Sequence, residues 1–151
     1  MWRTAGPDDD DRLVGLCLDL YRDDPGPRPV VAEQVRRTLL TLREEPWRGR
    51  AVLLDLGGQV VGYALLISFW SNELGGEVCD VDELFVAPEH RGRGYATSLF
   101  AALDRGELWP TPWVALALGT TPGNADARRL YKRLGFVSVG VSMVRRRPTI
   151  D

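Results

Sequence analysis

DELFVAPEHRGRGYA, residues 82–96, opens as a strand and closes as a helix, with two glycines and two arginines at the junction. EVCDVDELFV, 77–86, has strand character and is stopped by Pro88. From Gly94 onward, Ala96, Leu99, Phe100 and Leu103 recur at helical spacing, which predicts a helix to about Gly106. Gly92 and Gly94 lack a Cβ, so a ligand can approach their backbone closely. The first amides of the following helix have no intrahelical partner and point outward. Together with the helix dipole they form a site for an anion such as a phosphate. Arg91 and Arg93 can add charge-assisted bonds. Two common phosphate motifs do not fit. Thr97 stands where a Gly-x-Gly-x-x-Gly pattern needs its third glycine, and no Gly-Lys-Ser/Thr follows.

Before this junction, the first few residues can form a short strand. Asp8 to Asp11 put negative charge at a helix start, and Leu13, Val14, Leu16, Cys17, Leu20 and Tyr21 predict a helix over 9–21. RDDPGPRP, 22–29, is a loop, because proline cannot continue the helix. Val31, Val35, Leu39 and Leu42 mark a second helix ending before Pro46. AVLLDL and QVVGYALLIS flank Gly57-Gly58 as a hairpin. SNELGGE, 71–77, reads as a longer loop.

Beyond the junction, WPTP is a break. WVALAL, 113–118, is an unbroken apolar run and predicts a central strand covered on both faces. Asn124 is suited to cap a helix over 125–134, with Leu130 and Leu134 toward the core and Gly135 at its end. FVSVGVSMV, 136–144, predicts a closing strand. The expected order is β-α-α-β-β-β-α-β-α-β, an α/β fold with a mixed, mostly antiparallel twisted sheet flanked by helices.

At 151 residues the chain has the size of one domain, expected over 1–151. A net charge of −2 gives no electrostatic case for nucleic acid or an anionic membrane. No apolar run is long enough to span a bilayer, and MWRTAGPDDDD lacks the apolar stretch of a secretory signal. Cys17 and Cys79 make neither a metal spacing nor a disulfide framework. They are expected as reduced thiols in a cytoplasmic protein, and no metal is expected.

RGRGYA resembles the Arg/Gln-x-x-Gly-x-Gly/Ala motif of the GNAT superfamily of N-acetyltransferases. NADARRLYKRLGF, 124–136, is similar to that family's asparagine-to-tyrosine helix ending in Leu-Gly-Phe. The two motifs stand in the family's order and spacing. The resemblance implies acetyl-CoA as co-substrate, bound where strands 4 and 5 splay apart, here 77–86 and 113–118. It further implies that Leu84, Phe85 and Val86 border the pantetheine arm, with the backbone of Leu84 and Val86 bonding it as an added strand would. Arg91, Gly92, Arg93, Gly94, Tyr95, Ala96 and Thr97 would hold the pyrophosphate, and Asn124 would contact the arm.

The family's reaction is direct acetyl transfer from the thioester to an amine. It requires a neutral amine, a stabilised oxyanion and protonation of the leaving thiolate. Tyr131 matches the family's acid, and the Leu84 amide is the expected oxyanion donor, at a bulge beside the acetyl group. Asp82 and Glu83 compete for the role of base. Strand alternation sends them to opposite faces unless the strand bulges between them. His90 is expected at the surface or beside CoA rather than as the base.

Asp23, Asp24, Glu73, Glu77, Asp80, Asp82 and Glu83 lie in segments that border the acceptor cleft in this family. They favour a cationic acceptor, a polyamine- or aminoglycoside-like small molecule. Tyr21, Phe69 and Trp70 are expected as its apolar or cation–π walls. A protein or peptide amine is the alternative acceptor, and an acyl-CoA-binding sensor without turnover is the rival outside catalysis. A homodimer built on the last strand with Trp109 and Trp113 is expected by analogy.

Overall fold

The computed structural model describes residues 1–148. It divides into two compact units, Met1–Gly119 and the residues from Thr120 onward.

The first unit is built on a five-stranded sheet: β1 (Trp2–Thr4), β2 (Gly49–Asp55), β3 (Val60–Ser71), β4 (Gly76–Val86) and β5 (Ala115–Leu118), paired in that order. The first three pairings are antiparallel and β4–β5 is parallel. Two helices, α1 (Asp10–Asp23) and α2 (Ala32–Glu44), cover one face. Their apolar stripes bury Leu13, Leu16 and Cys17 of α1 with Val35 and Leu39 of α2 against Leu53, Tyr63, Leu65 and Phe85 of the sheet. The helices run antiparallel. Arg43 near the end of α2 holds Asp10 at the start of α1 with two bonds, 2.7 and 2.6 Å. Arg36 donates to Asp11 at 2.7 Å.

Strand alternation turns the other set of side chains, Val52, Leu54, Ala64 and Leu66, to the opposite face, where they are also buried. A third helix, α3 (Tyr95–Asp104), buries Leu99, Phe100 and Leu103. The Trp2 indole N–H donates to the Tyr95 carbonyl at 2.9 Å and so ties β1 to the first turn of α3.

Several expectations are corrected within this unit. α1 continues through Asp23, two residues into the expected loop. The segment 71–77 is a tight turn rather than a long loop, since Ser71 and Gly76 already pair across the β3–β4 ladder. β5 is only four residues long, half-buried, and lies at the edge of the sheet rather than its centre. Its apolar character reflects contact with one neighbouring strand, not cover on two sides. Trp109 is buried, and Trp113 is half-buried with its indole donating to the Leu103 carbonyl at 3.2 Å. Trp109 is therefore spent on the unit's own core.

The second unit contains α4 (Ala125–Arg133). The Asn124 side chain accepts from the Ala127 amide at 3.2 Å and caps the helix as expected. Gly135, at φ +90°, takes the left-handed conformation that ends it. Leu130 and Leu134 are half-buried, not core. The predicted closing strand does not form. Residues 136–148 carry no helix or strand, and Val137, Val139, Val141 and Met143 are exposed. Alternating apolar residues favour a strand only when a neighbouring strand supplies ladder partners, and none is paired with them among the described residues.

Candidate active site

The β4 strand changes register in its middle. Glu83 lies opposite Leu65 and Val81 opposite Leu66, so Asp82 is the extra, unpaired residue of a β-bulge. The bulge lies two residues before Leu84, where it was expected. It has two consequences.

The first concerns the backbone. The Val114 amide donates to the Glu77 carbonyl at 2.8 Å, so odd-numbered residues of early β4 face β5. Beyond the bulge the Ala87 amide donates to the Val61 carbonyl at 2.8 Å, so odd-numbered residues there face β3. The extra residue has switched the alternation, and the polar backbone groups of Leu84 and Val86 point away from β3. β5 does not reach them, because its register ends at the Val81–Leu118 pair. The two strands therefore part, leaving an open edge. Phe85 instead turns inward, 4% exposed, with its ring 6.3 Å from that of Tyr63.

The second consequence concerns side chains. With Asp82 bulged, both Asp82 and Glu83 line one cavity of about 220 Å³ between α1, α2 and the sheet. Cys17 and Tyr21 of α1 and Gln34 and Thr38 of α2 form its other polar walls, and among the described residues no Lys, Arg or His lines it. Glu83 accepts from two phenols: Tyr21 donates to Oε1, and Tyr63 donates to Oε2 at 2.7 Å. Burial pushes the Glu83 carboxyl up. The Tyr21 and Tyr63 hydroxyls pull it partly back, and the Asp82 charge adds to the rise. Burial also raises Asp82, although its side chain opens to solvent. Asp80 is raised by burial and by Asp82. It lies opposite Ile67, outside the cavity lining. Burial drives the Tyr63 phenol far above its ordinary range and the Cys17 thiol up to about 12, so both stay neutral near pH 7.

Tyr21 is more than a wall, since its hydroxyl belongs to Glu83. Tyr63 was not singled out from sequence. Its position two residues before Leu65 on β3 offers no motif, and only the register places it beside Glu83. Phe69 and Trp70 are exposed near the far end of β3, away from this cavity's lining. Glu77 accepts from the Ser68 hydroxyl at 2.7 Å and does not line it either.

The glycine junction follows the open edge. After a 3-10 turn at Pro88–His90, Gly92 and Gly94 take φ +72° and +80°, and a Cβ on either would meet nothing within 4 Å. They are required for backbone conformation and leave open space above it. The first backbone bond into α3 is from the Ser98 amide to the Gly94 carbonyl, 2.9 Å. The amides of Tyr95, Ala96 and Thr97 thus remain as outward donors. Arg93 bonds the Glu89 carbonyl at 3.2 Å. Arg91 is already engaged: Nε donates to the Val86 carbonyl at 2.7 Å, Nη2 to Asp23 at 2.9 Å, and the guanidinium lies 5.3 Å over the Phe85 ring. The half-buried His90 has its Nδ1 enclosed without a hydrogen-bond partner among the described residues.

In the second unit, burial raises the Tyr131 phenol, and its ring meets Phe136 edge-on at 5.9 Å. A neutral phenol can donate a proton. Among the described residues no group of side chains could hold a metal ion, and no helix is long and apolar enough to cross a membrane.

An edge of parted strands, followed by a glycine-rich turn that opens a helix, is the architecture of one acyltransferase class, and the sequence agrees with it. The pattern of the acetyltransferase (GNAT) family matches residues 14–136, and the chain belongs to that family. It is 39% identical over 87 residues to a mycothiol acetyltransferase of Amycolatopsis mediterranei, a match spanning 48% of this chain and 28% of that protein. The matched stretch is thus a minor part of that relative. A possible acetyltransferase from Clostridium difficile superposes with a TM-score of 0.81 at 18% identity, covering 99% of this chain and 97% of the other. An aminoglycoside N-acetyltransferase in complex with CoA gives 0.71 at 20% identity, over 99% and 100%. Both structures share the fold with this chain.

Proposed function

We propose that the protein transfers the acetyl group of acetyl-CoA to the primary amine of a cationic small molecule, polyamine- or aminoglycoside-like, by direct attack in a ternary complex. The observation that carries this reading is a cavity lined by two carboxylates and no cation, formed at the bulge that opens the β4 edge. Such a cavity attracts an ammonium group and can then take its proton.

The open edge and the junction fit acetyl-CoA. Leu84 and the Val86 amide offer backbone groups to the pantetheine arm, the Val86 carbonyl being taken by Arg91, and the amides of Gly92 to Thr97 suit the pyrophosphate. Arg91 and Arg93 supply positive charge there. In the reaction the amine nitrogen, deprotonated by Glu83 or Asp82, attacks the thioester carbonyl. The Leu84 amide bonds the resulting oxyanion. The C–S bond then breaks, and Tyr131 protonates the departing thiolate. The assignments of Tyr131 and of Asn124, to the pantetheine arm, rest on the family motif at 124–136. Because the family match spans both units, they are read as one N-acetyltransferase domain. The free, buried Cys17 and Cys79 suit a reducing cytoplasm.

The test is release of CoA thiol from acetyl-CoA with polyamines, aminoglycosides, amino acids and basic peptides, beside a Tyr131→Phe control. Release with a cationic small molecule, reduced about 10²- to 10⁴-fold in the control, is expected. Release with peptides alone would replace the acceptor class. Acetyl-CoA binding without release under any acceptor would favour a sensor.

A further inference from the structure

Glu83 is an unusual carboxylate in this fold. It is largely enclosed, it has no basic partner among the described residues, and each of its oxygens accepts from a different phenol on a different element. Tyr63 approaches from β3, fully buried, and Tyr21 from near the end of α1. We infer that Tyr21 and Tyr63 are positioning residues that hold the Glu83 carboxylate ionised and aimed into the cavity, where it takes the proton of the acceptor amine. The inference rests on the acetyl-transfer reading of this cavity and goes further in choosing Glu83 over Asp82 as the base.

The physical reason is the number of donors. A buried carboxylate without a partner tends to neutralise itself by binding a proton. Donors to its charged form oppose that tendency. Tyrosine hydroxyls do so without contributing a positive charge that would repel an ammonium ion. Two donors on opposite oxygens also fix the carboxylate plane, while the remaining lone pairs stay available to the cavity. Among the described residues no side chain or amide donates to Asp82, which opens to solvent, so nothing comparable fixes it. The groups facing Glu83 are Cys17 and Tyr21 from α1, Tyr63 from β3 and Asp82 beside it on β4. α2 presents only the neutral Gln34 and Thr38 to the shared cavity. Only Asp82 among these is charged near neutral pH, and it opposes ionisation of Glu83.

The sequence context shows why Tyr63 holds its position. Its ring packs in the core beside Phe85 and among α1 and β2 residues, so the hydroxyl is carried by a rigid element. Cys17 of α1 packs in the same core cluster as Tyr63.

The test compares wild type with Tyr21→Phe and Tyr63→Phe, which keep the rings and delete only the hydroxyls. The Glu83 carboxyl is followed by carbon NMR in protein labelled at glutamate side chains, assigned with Glu83→Gln. The same proteins supply the pH profile of kcat/KM for thiol release. Loss of either hydroxyl is expected to raise the Glu83 titration by about one pH unit, because a hydrogen bond to a charged group is worth at least that much. The acid limb of kcat/KM should move upward by the same amount. If the Glu83 carboxyl titrates at an unchanged pH in both variants, the inference fails. If the carboxyl moves but the acid limb stays, Glu83 is held but is not the base, and the inference also fails. If the carboxyl shifts in both variants but wild type neither binds CoA nor releases thiol, the transfer reading falls and the catalytic part of the inference with it, leaving the two phenols as a structural clamp on Glu83. Tyr21 is half-exposed, so Tyr21→Phe remains informative should Tyr63→Phe not fold.

Discussion

Asp82 and Glu83 are consecutive residues of one strand, yet both line the same cavity. In a regular strand they would face opposite sides of the sheet. The bulge at Asp82 removes that restriction and leaves the two carboxylates with different surroundings: Glu83 is held by Tyr21 and Tyr63, and Asp82 opens to solvent. The paired substitutions Glu83→Gln and Asp82→Asn should therefore be unequal. Glu83→Gln is expected to lower kcat/KM on the order of 10²-fold or more, as loss of a general base does. Asp82→Asn should act mainly on KM by weakening attraction of the cation. Steady-state kinetics on the acceptor found in the thiol-release panel checks both. Equal losses in kcat would show that the two share the proton.

The element order was legible in the sequence wherever periodicity and breakers agree. Leu13 to Tyr21 and Val31 to Leu42 gave two helices, and Pro88 with Gly92-x-Gly94 marked the strand-to-helix junction. The alternative of a bulge between Asp82 and Glu83 could be stated from alternation, but its presence could not. A bulge is decided by how β3 and β4 fit together across the sheet, which no local pattern encodes. Tyr63 was missed for the same reason. It is an ordinary strand aromatic until the register sets it beside Glu83. The segment from Phe136 to Val144 misled in the other direction, because its alternation satisfies a strand's local preference without supplying the neighbour a strand requires.

Gly92 and Gly94 hold φ values of +72° and +80° in open space. An alanine at either position meets no clash, so its cost is conformational, about 1–2 kcal/mol for the left-handed region. Relieving that strain would rotate the following amides away from the phosphate. Gly94→Ala is expected to fold with a modestly lowered Tm. Its CoA affinity should fall about tenfold or more, the loss of one charge-assisted bond. Calorimetric titration with CoA, beside thermal unfolding, separates the two effects. A large stability loss with unchanged affinity would mean that the glycines serve the turn alone.

Arg91 is held by Asp23 at 2.9 Å, by the Val86 carbonyl and by the Phe85 ring. Asp23 therefore competes with any phosphate for the guanidinium. Both side chains are nearly half exposed, so the ion pair is worth about 1 kcal/mol at most. Asp23→Asn should leave stability nearly unchanged and tighten CoA binding by up to about fivefold, the same energy expressed as affinity. Weaker binding in the variant would show instead that Asp23 holds Arg91 in its productive place.

Arg3 permits a test of stability against pH. Its guanidinium donates to both oxygens of Asp9, each at 2.9 Å, and to Asp55 at 3.0 Å. The Asp9 carboxyl is lowered chiefly by Arg3. The Asp55 carboxyl is lowered first by the Gly58 amide and next by Arg3. A depressed carboxyl contributes stability above its unfolded value, about 3.9, and that contribution is lost as pH falls through the lowered folded value. Asp80, Asp82 and Glu83 have raised carboxyls and act with the opposite sign, losing stability as pH rises through the carboxylate range. Those three are present in both proteins, so they cancel when wild type is compared with Arg3→Gln. The variant should unfold a few degrees lower at neutral pH, a small effect because Arg3 is partly exposed. The gap should close on acidification below the ordinary aspartate range. Thermal unfolding of both proteins across that range measures it, and a gap that persists at acid pH would assign the loss to packing of the Arg3 stem rather than to its charge.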